Sequence, residues 1–174
     1  VVIALPNILY LSNFGGSAAI VVISQDDFAI LTDFRYVAAI EATRGTASEC
    51  RGMTLVTVDG SYDGALAAYL RRFAGRRVGF ESAHLTVSRH AWLVEALGSW
   101  HQSVDLVPAE GIVERARLIK DAYEVKELQF AVDATIRGFE DVVRALPAAM
   151  KEPNGERVVE AAFYARARLE GNEV

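Results

Sequence analysis

Met53-Thr-Leu-Val-Thr-Val-Asp-Gly-Ser-Tyr-Asp-Gly-Ala-Leu-Ala-Ala-Tyr-Leu-Arg-Arg-Phe-Ala-Gly-Arg-Arg-Val-Gly-Phe-Glu81 decides the fold. Met53 to Val58 is a β-branched run of strand length, and Asp59, Gly60 and Ser61 turn it into a helix from about Asp63 to Phe73. Leu66, Leu70 and Phe73 share one face of that helix, and Arg77 to Glu81 is the next strand. Downstream, Thr86 to Leu97 reads as a helix with Val87, Ala91, Val94 and Leu97 in line, followed by a strand over Ser103 to Val107. The order β-α-β-α-β requires a layered α/β domain in which helices cover a mixed sheet.

Upstream, Ala18 to Ser24 and Phe28 to Thr32 are rich in Val, Ile and Phe and flank the polar turn Gln25, Asp26 and Asp27, which predicts a hairpin. Asp33 is placed to cap a short helix through Tyr36, Val37, Ile40 and Glu41, and Arg44 to Gly52 suits a loop. Val1 to Leu5 and Ile8 to Leu11, interrupted by Pro6 and Asn7, read as one bent strand or two short ones. Beyond Glu110 strand signals stop. Val125, Leu128, Val132, Ile136, Phe139, Val143 and Leu146 recur at spacings of three and four, predicting a long amphipathic helix with Asp133–Arg137 and Glu140–Arg144 pairs on its outer face. Pro147 and Pro153 are expected to end it, and Val159, Ala162, Phe163 and Leu169 mark a second helix. The domain boundary is set at 109/110. The apolar start at Val1 and the stop at Val174 after a helical pattern suggest a piece of a longer protein.

Composition excludes several classes. The 174 residues are 52% hydrophobic and 24% charged, enough apolar material for a packed core. The longest purely apolar run, Ala18 to Ile23, is six residues, whereas a membrane-spanning helix needs about 20, so no membrane partner is expected. A net charge of −5 without a basic stripe argues against nucleic acid. The single cysteine, Cys50, can neither form an internal disulfide nor complete a structural zinc site, which suits the cytoplasm.

No catalytic constellation emerges from spacing. His84, His90 and His101 have no partner at metal-ligand spacing, and surface or capping roles fit them. Asp26 and Asp27 are solvated turn formers by position. Gly15 and Gly16 lie between two strand signals with no following Gly-Lys-Ser or Gly-Lys-Thr, so they are not a phosphate loop. Cys50, between Glu49 and Arg51, is expected to be a plain exposed thiol.

Three segments, in order, nevertheless resemble one family. Asn7-Ile-Leu-Tyr-Leu-Ser-Asn-Phe-Gly-Gly-Ser17, followed by the hairpin and by Thr32-Asp-Phe-Arg-Tyr36, resembles the amino-terminal domain of the aminopeptidase P, prolidase and creatinase family. Glu114-Arg-Ala-Arg-Leu-Ile-Lys-Asp-Ala-Tyr-Glu124, with Arg117, Lys120 and Glu124 at an Arg-x-x-Lys-x-x-x-Glu spacing, resembles the entry into the second domain, and these three residues could tie that entry to the first domain. Asn154-Gly-Glu-Arg-Val-Val-Glu160 resembles a Gly-x-x-Glu segment there, with Glu156 displaced from the usual place.

The resemblance implies a creatinase-type α/β domain over 1–109 and the truncated, helical start of a pita-bread domain over 110–174. It implies a parent that hydrolyses Xaa-Pro peptide bonds with two divalent ions (Mn, Co or Zn) on an Asp, Asp, His, Glu, Glu set. Those ligands are expected after Val174, leaving this chain without catalytic or metal residues of its own. Two such ions can polarise a peptide carbonyl and stabilise the charge that develops on it. The amino-terminal domain is expected to help form a homodimer and to line a substrate cleft. Phe14, Gly15, Gly16 and Ser17 are the candidates for that contact, since glycines admit close backbone approach and Phe14 offers a ring to a substrate proline. The alternative for Phe14 is a plug at the sheet edge. Arg35 and Tyr36 read as a fold signature. A creatinase-like amidinohydrolase and a non-catalytic, protein-binding relative remain open as readings of the parent.

Overall fold

The computed structural model describes residues 1–98 and 103–170. By its internal contacts the chain divides into Val1–Leu118 and Ile119–Val174.

In the first unit the hairpin strands β1 (Ile20–Ile23) and β2 (Phe28–Thr32) pair antiparallel, and β3 (Thr54–Thr57) joins β2 in parallel. β4 (Arg77–Glu81) and β5 (Asp105–Ala109) form a second, parallel pair. Residues Val1 to Ala4 join the two groups. Val2 bridges to Val21 of β1 on one side, while Val1 accepts from the Glu81 amide and donates its main-chain nitrogen to the Gly79 carbonyl of β4 on the other.

Alternation along the strands gives the domain its two cores. Ile20, Val22, Ala29 and Leu31 face one way, against Leu66 and Leu70 of α3 (Tyr62–Leu70) and Leu93 and Leu97 of α4 (Val87–Gly98). Val21 and Ile30 face the other way. They meet Ile8 of α1 (Leu5–Ser12), Ile40 of α2 (Phe34–Thr43) and Val113 of α5 (Ile112–Leu118). The result is a mixed α/β domain with a small mixed sheet flanked by helices.

The expected second strand, Ile8 to Leu11, is helical instead. Proline lacks only an amide that the first helical turn leaves unpaired, so Pro6 starts α1 rather than interrupting it. A run this short does not reveal its period. Once folded it buries Asn7, Ile8 and Ser12 while Leu9 and Tyr10 face out. Asn13 ends the helix in the left-handed region at φ 58°.

In α4 the buried face runs through Leu93 and Leu97, leaving Val87 86% exposed and Val94 half exposed, so the expected line through Val87 and Val94 does not hold. The bulkier leucines bury more area, and His90 turns inward with them to lay its ring 5.0 Å from that of Phe80. At the hairpin tip Asp27 is not merely a solvated turn residue, because it accepts from Tyr69 Oη at 2.8 and 2.9 Å. His101 lies outside the described residues.

α5 packs in the first unit through Val113. The second unit is a helical hairpin of α6 (Ala122–Ala149) and α7 (Gly155–Leu169). Asp121 and Glu124 open α6 with a reciprocal capping box. Pro147 does not end α6, which continues to Ala149. The small residues Ala134, Gly138 and Ala149 are the ones α6 buries, and a Cβ on Gly138 would come within 3.1 Å of the Phe163 ring of α7. The bulky stripe from Val125 to Leu146 lies on the other side of α6, half exposed. Arg137 does not pair with Asp133 as expected; its guanidinium reaches across to Glu170, with Nε 2.9 Å from Oε1.

Candidate functional site

The loop that leaves α1 is held by α2. The Phe14 ring is only 7% exposed and stands edge-on to the Tyr36 ring, with centroids 5.3 Å apart. Gly16 sits against both rings, so a Cβ there would come within 2.1 Å of the Phe14 ring and 2.8 Å of Tyr36. Only glycine fits. Ser17 donates its main-chain N–H to Tyr36 Oη at 3.3 Å, and the two hydroxyls are 2.6 Å apart. Asn13, Gly15 and Ser17 are exposed, so the loop presents backbone and a hydroxyl to solvent and keeps its aromatic ring inside.

Tyr36 is placed there by the start of α2. Asp33 accepts from the Arg35 amide at 3.1 Å as the helix cap and also receives the Arg35 fork, Nε and Nη2 both at 2.8 Å. That fork, more than the Tyr62 hydroxyl that also donates at 2.8 Å, holds the Asp33 carboxyl well below the usual carboxylate range. Tyr36 is lowered as well, chiefly by the Ser17 hydroxyl and then by the Ser17 amide.

A second cluster was not visible in the sequence. Asn7, 1% exposed, donates from Nδ2 to Glu81 Oε1 at 2.6 Å and to Glu114 Oε1 at 2.7 Å, and accepts from Arg117 Nη1 at 2.8 Å. The other Glu81 oxygen accepts from the Ile3 and Ala4 amides at 2.6 and 2.7 Å. The Asn7 amide lowers the Glu114 carboxyl from its ordinary value. The knot ties α1, the end of β4 and α5 together, so Arg117 acts inside the first unit while Glu124 caps α6.

Cys50 is half buried rather than plainly exposed, and burial pushes its thiol up, away from a reactive thiolate. Among the described residues no three His, Cys, Asp or Glu side chains come together in a way that could hold a metal ion. The described residues therefore do not fit the two-ion centre that the family resemblance implies. No described helix is long and apolar enough to cross a membrane.

Residues 1–119 match the creatinase/prolidase N-terminal domain. The chain belongs to that family. Over 62 residues it is 55% identical to Xaa-Pro aminopeptidase 1 of Streptomyces coelicolor, a match covering 36% of this chain and 12% of the relative. It is 31% identical over 164 residues to the uncharacterised peptidase YqhT of Bacillus subtilis, covering 93% of this chain and 42% of that one. Among solved structures it resembles the Xaa-Pro dipeptidase of Bacillus anthracis with a TM-score of 0.69 at 28% identity, covering 82% of this chain and 37% of that chain. The chain thus spans less than half the length of each of these relatives.

Proposed function

We propose that the chain is the amino-terminal part of a metal-dependent peptidase that hydrolyses Xaa-Pro bonds. Its family membership and its 55% identity to an Xaa-Pro aminopeptidase carry that reading. Residues 1–109, with α5 packed beneath them, form the domain that pairs with a second copy and borders the substrate cleft. Residues 110–174 supply the helical start of the pita-bread catalytic domain. The loop from Phe14 to Ser17 is the part of this chain that meets a proline-containing peptide, and its exposed surface is the Gly15 backbone and Ser17. Two divalent ions, Mn, Co or Zn, belong to the rest of the parent. The cytoplasm is its place, in keeping with a lone, unreactive cysteine.

The test compares the chain with its full-length parent on an Xaa-Pro dipeptide and a longer Xaa-Pro peptide, with Mn²⁺, Co²⁺ or Zn²⁺ added. Turnover by the parent and none by the purified chain is expected. An inactive parent removes the peptidase reading, and metal-dependent turnover by the chain alone removes the division of labour. Sedimentation of the parent is expected to show a symmetric dimer.

A further inference from the structure

Beside the Phe14–Ser17 loop, on the α2 side, lies a concavity of about 320 Å³. Phe14, Tyr36, Ala39, Ile40 and Met53 give it an apolar wall, Ser12, Asn13, Thr43 and Ser48 add uncharged polar groups, and no charged side chain lines it among the described residues. The size sits at the small end of the range for ligand sites, about 300 to 1,000 Å³, which suits one side chain better than a cofactor. A lining without a carboxylate offers an ammonium no counter-charge to replace its water, so a cationic side chain is disfavoured.

The rim adds a second, independent feature. The main-chain amides of Gly15 and Gly16 have no hydrogen-bond partner among the described residues, although both glycines border the concavity. At Gly15 a Cβ would meet nothing within 4 Å, so the approach to that backbone is open. Unpaired amides next to an apolar recess match how proteins take extended peptides: backbone bonds hold the chain and a pocket selects a side chain.

We propose that this concavity binds an uncharged apolar side chain carried on a peptide, with the Gly15 and Gly16 amides pairing to the peptide backbone. The proposal deepens, and rests on, the reading that the Phe14–Ser17 loop faces a peptide substrate. It assigns the site a preference for apolar side chains over cationic ones.

Methyl and amide NMR spectra of the 174-residue chain, titrated with N-acetyl-leucine N-methylamide and with its lysine counterpart, test it directly. The leucine probe is expected to shift the Ile40 and Met53 methyls and the Gly15 and Gly16 amides saturably, and the lysine probe to bind at least about tenfold more weakly. Ala39 is exposed on α2 at the pocket wall, so Ala39→Phe fills the recess from outside the core and is expected to abolish the response. Ala38→Phe, on the exposed neighbour that does not line the pocket, is expected to keep it. No saturable shift, equal binding of both probes, or binding insensitive to Ala39→Phe overturns the proposal. These spectra need no catalysis, so an inactive parent would remove the peptidase reading while leaving an observed binding response in place.

Discussion

The hydroxyls of Ser17 and Tyr36 lie 2.6 Å apart, and through them the loop after α1 is fastened to α2. The Ser17 donors favour the phenolate and lower the Tyr36 pKa, whereas burial raises those of Tyr62 and Tyr69. Tyr36 is therefore expected to ionise before either of them. In Ser17→Ala the hydroxyl is gone and only the amide bond remains, so the Tyr36 titration should move upward. Tyrosinate absorbance against pH, with Tyr36→Phe to assign the first step, reads this; identical curves for wild type and Ser17→Ala would contradict it.

Phe14 is packed with Ile8, Val21 and Ile30 in the second core, so its truncation removes core rather than surface. Phe14→Ala is expected to lose about 3 to 5 kcal/mol of stability in denaturant unfolding. A variant that unfolds like wild type yet lowers kcat/KM of the parent would put the ring in the cleft instead.

Asn7→Ala removes the buried amide that bridges the partly buried Glu81 and the exposed Glu114. The expected loss is about 1 to 2 kcal/mol, since the bonds are part-buried and water can reach the freed carboxylates. Asn7→Asp should be no better, because it sets a third carboxyl between two. Unfolding midpoints near wild type for both variants would mean the knot is ornamental.

Asp33 fixes how the domain responds to acid. Its folded-state pKa is depressed below the ordinary 3.8, so its contribution is complete above that value and is lost as pH falls toward the folded pKa. Asp33→Asn keeps a capping side chain but removes the charge. It should melt lower than wild type at pH 7, and the gap between the two melting temperatures should narrow progressively as pH falls from about 4. Curves that stay parallel across that range would exclude the Arg35 fork as a source of stability.

Local signals made the frame readable. The hairpin through Asp26 and Asp27, the Asp33 cap and the strand at Arg77 to Glu81 each announce themselves within a few residues. α1 did not, because its apolar run is too short to show a period and Pro6 reads as a breaker unless its place in the first turn is known. The knot on Asn7 was hidden for another reason: its partners Glu81 and Glu114 lie 74 and 107 residues away. Phe14 to Ser17 could be singled out as a motif, but the inward turn of the ring depends on Tyr36, three elements later in the chain. Likewise the periodicity of α6 revealed its bulky stripe and not the face, built on Ala134 and Gly138, that receives α7.

The first four residues, which stitch β1 to β4, also govern the order in which the domain can assemble. Val1 meets Gly79 and Ile3 meets Glu81 across 78 positions, so the sheet cannot close until β4 has been synthesised. Closing a loop of that length costs about 4 kcal/mol of chain entropy before any contact rewards it. α6 and α7, by contrast, are adjacent in sequence, and their Arg137–Glu170 pair spans only 33 positions, so they can meet sooner. On a ribosome the amino-terminal segment therefore waits, with its apolar side chains uncovered, for a strand made much later, while the helical hairpin forms almost as soon as it is translated.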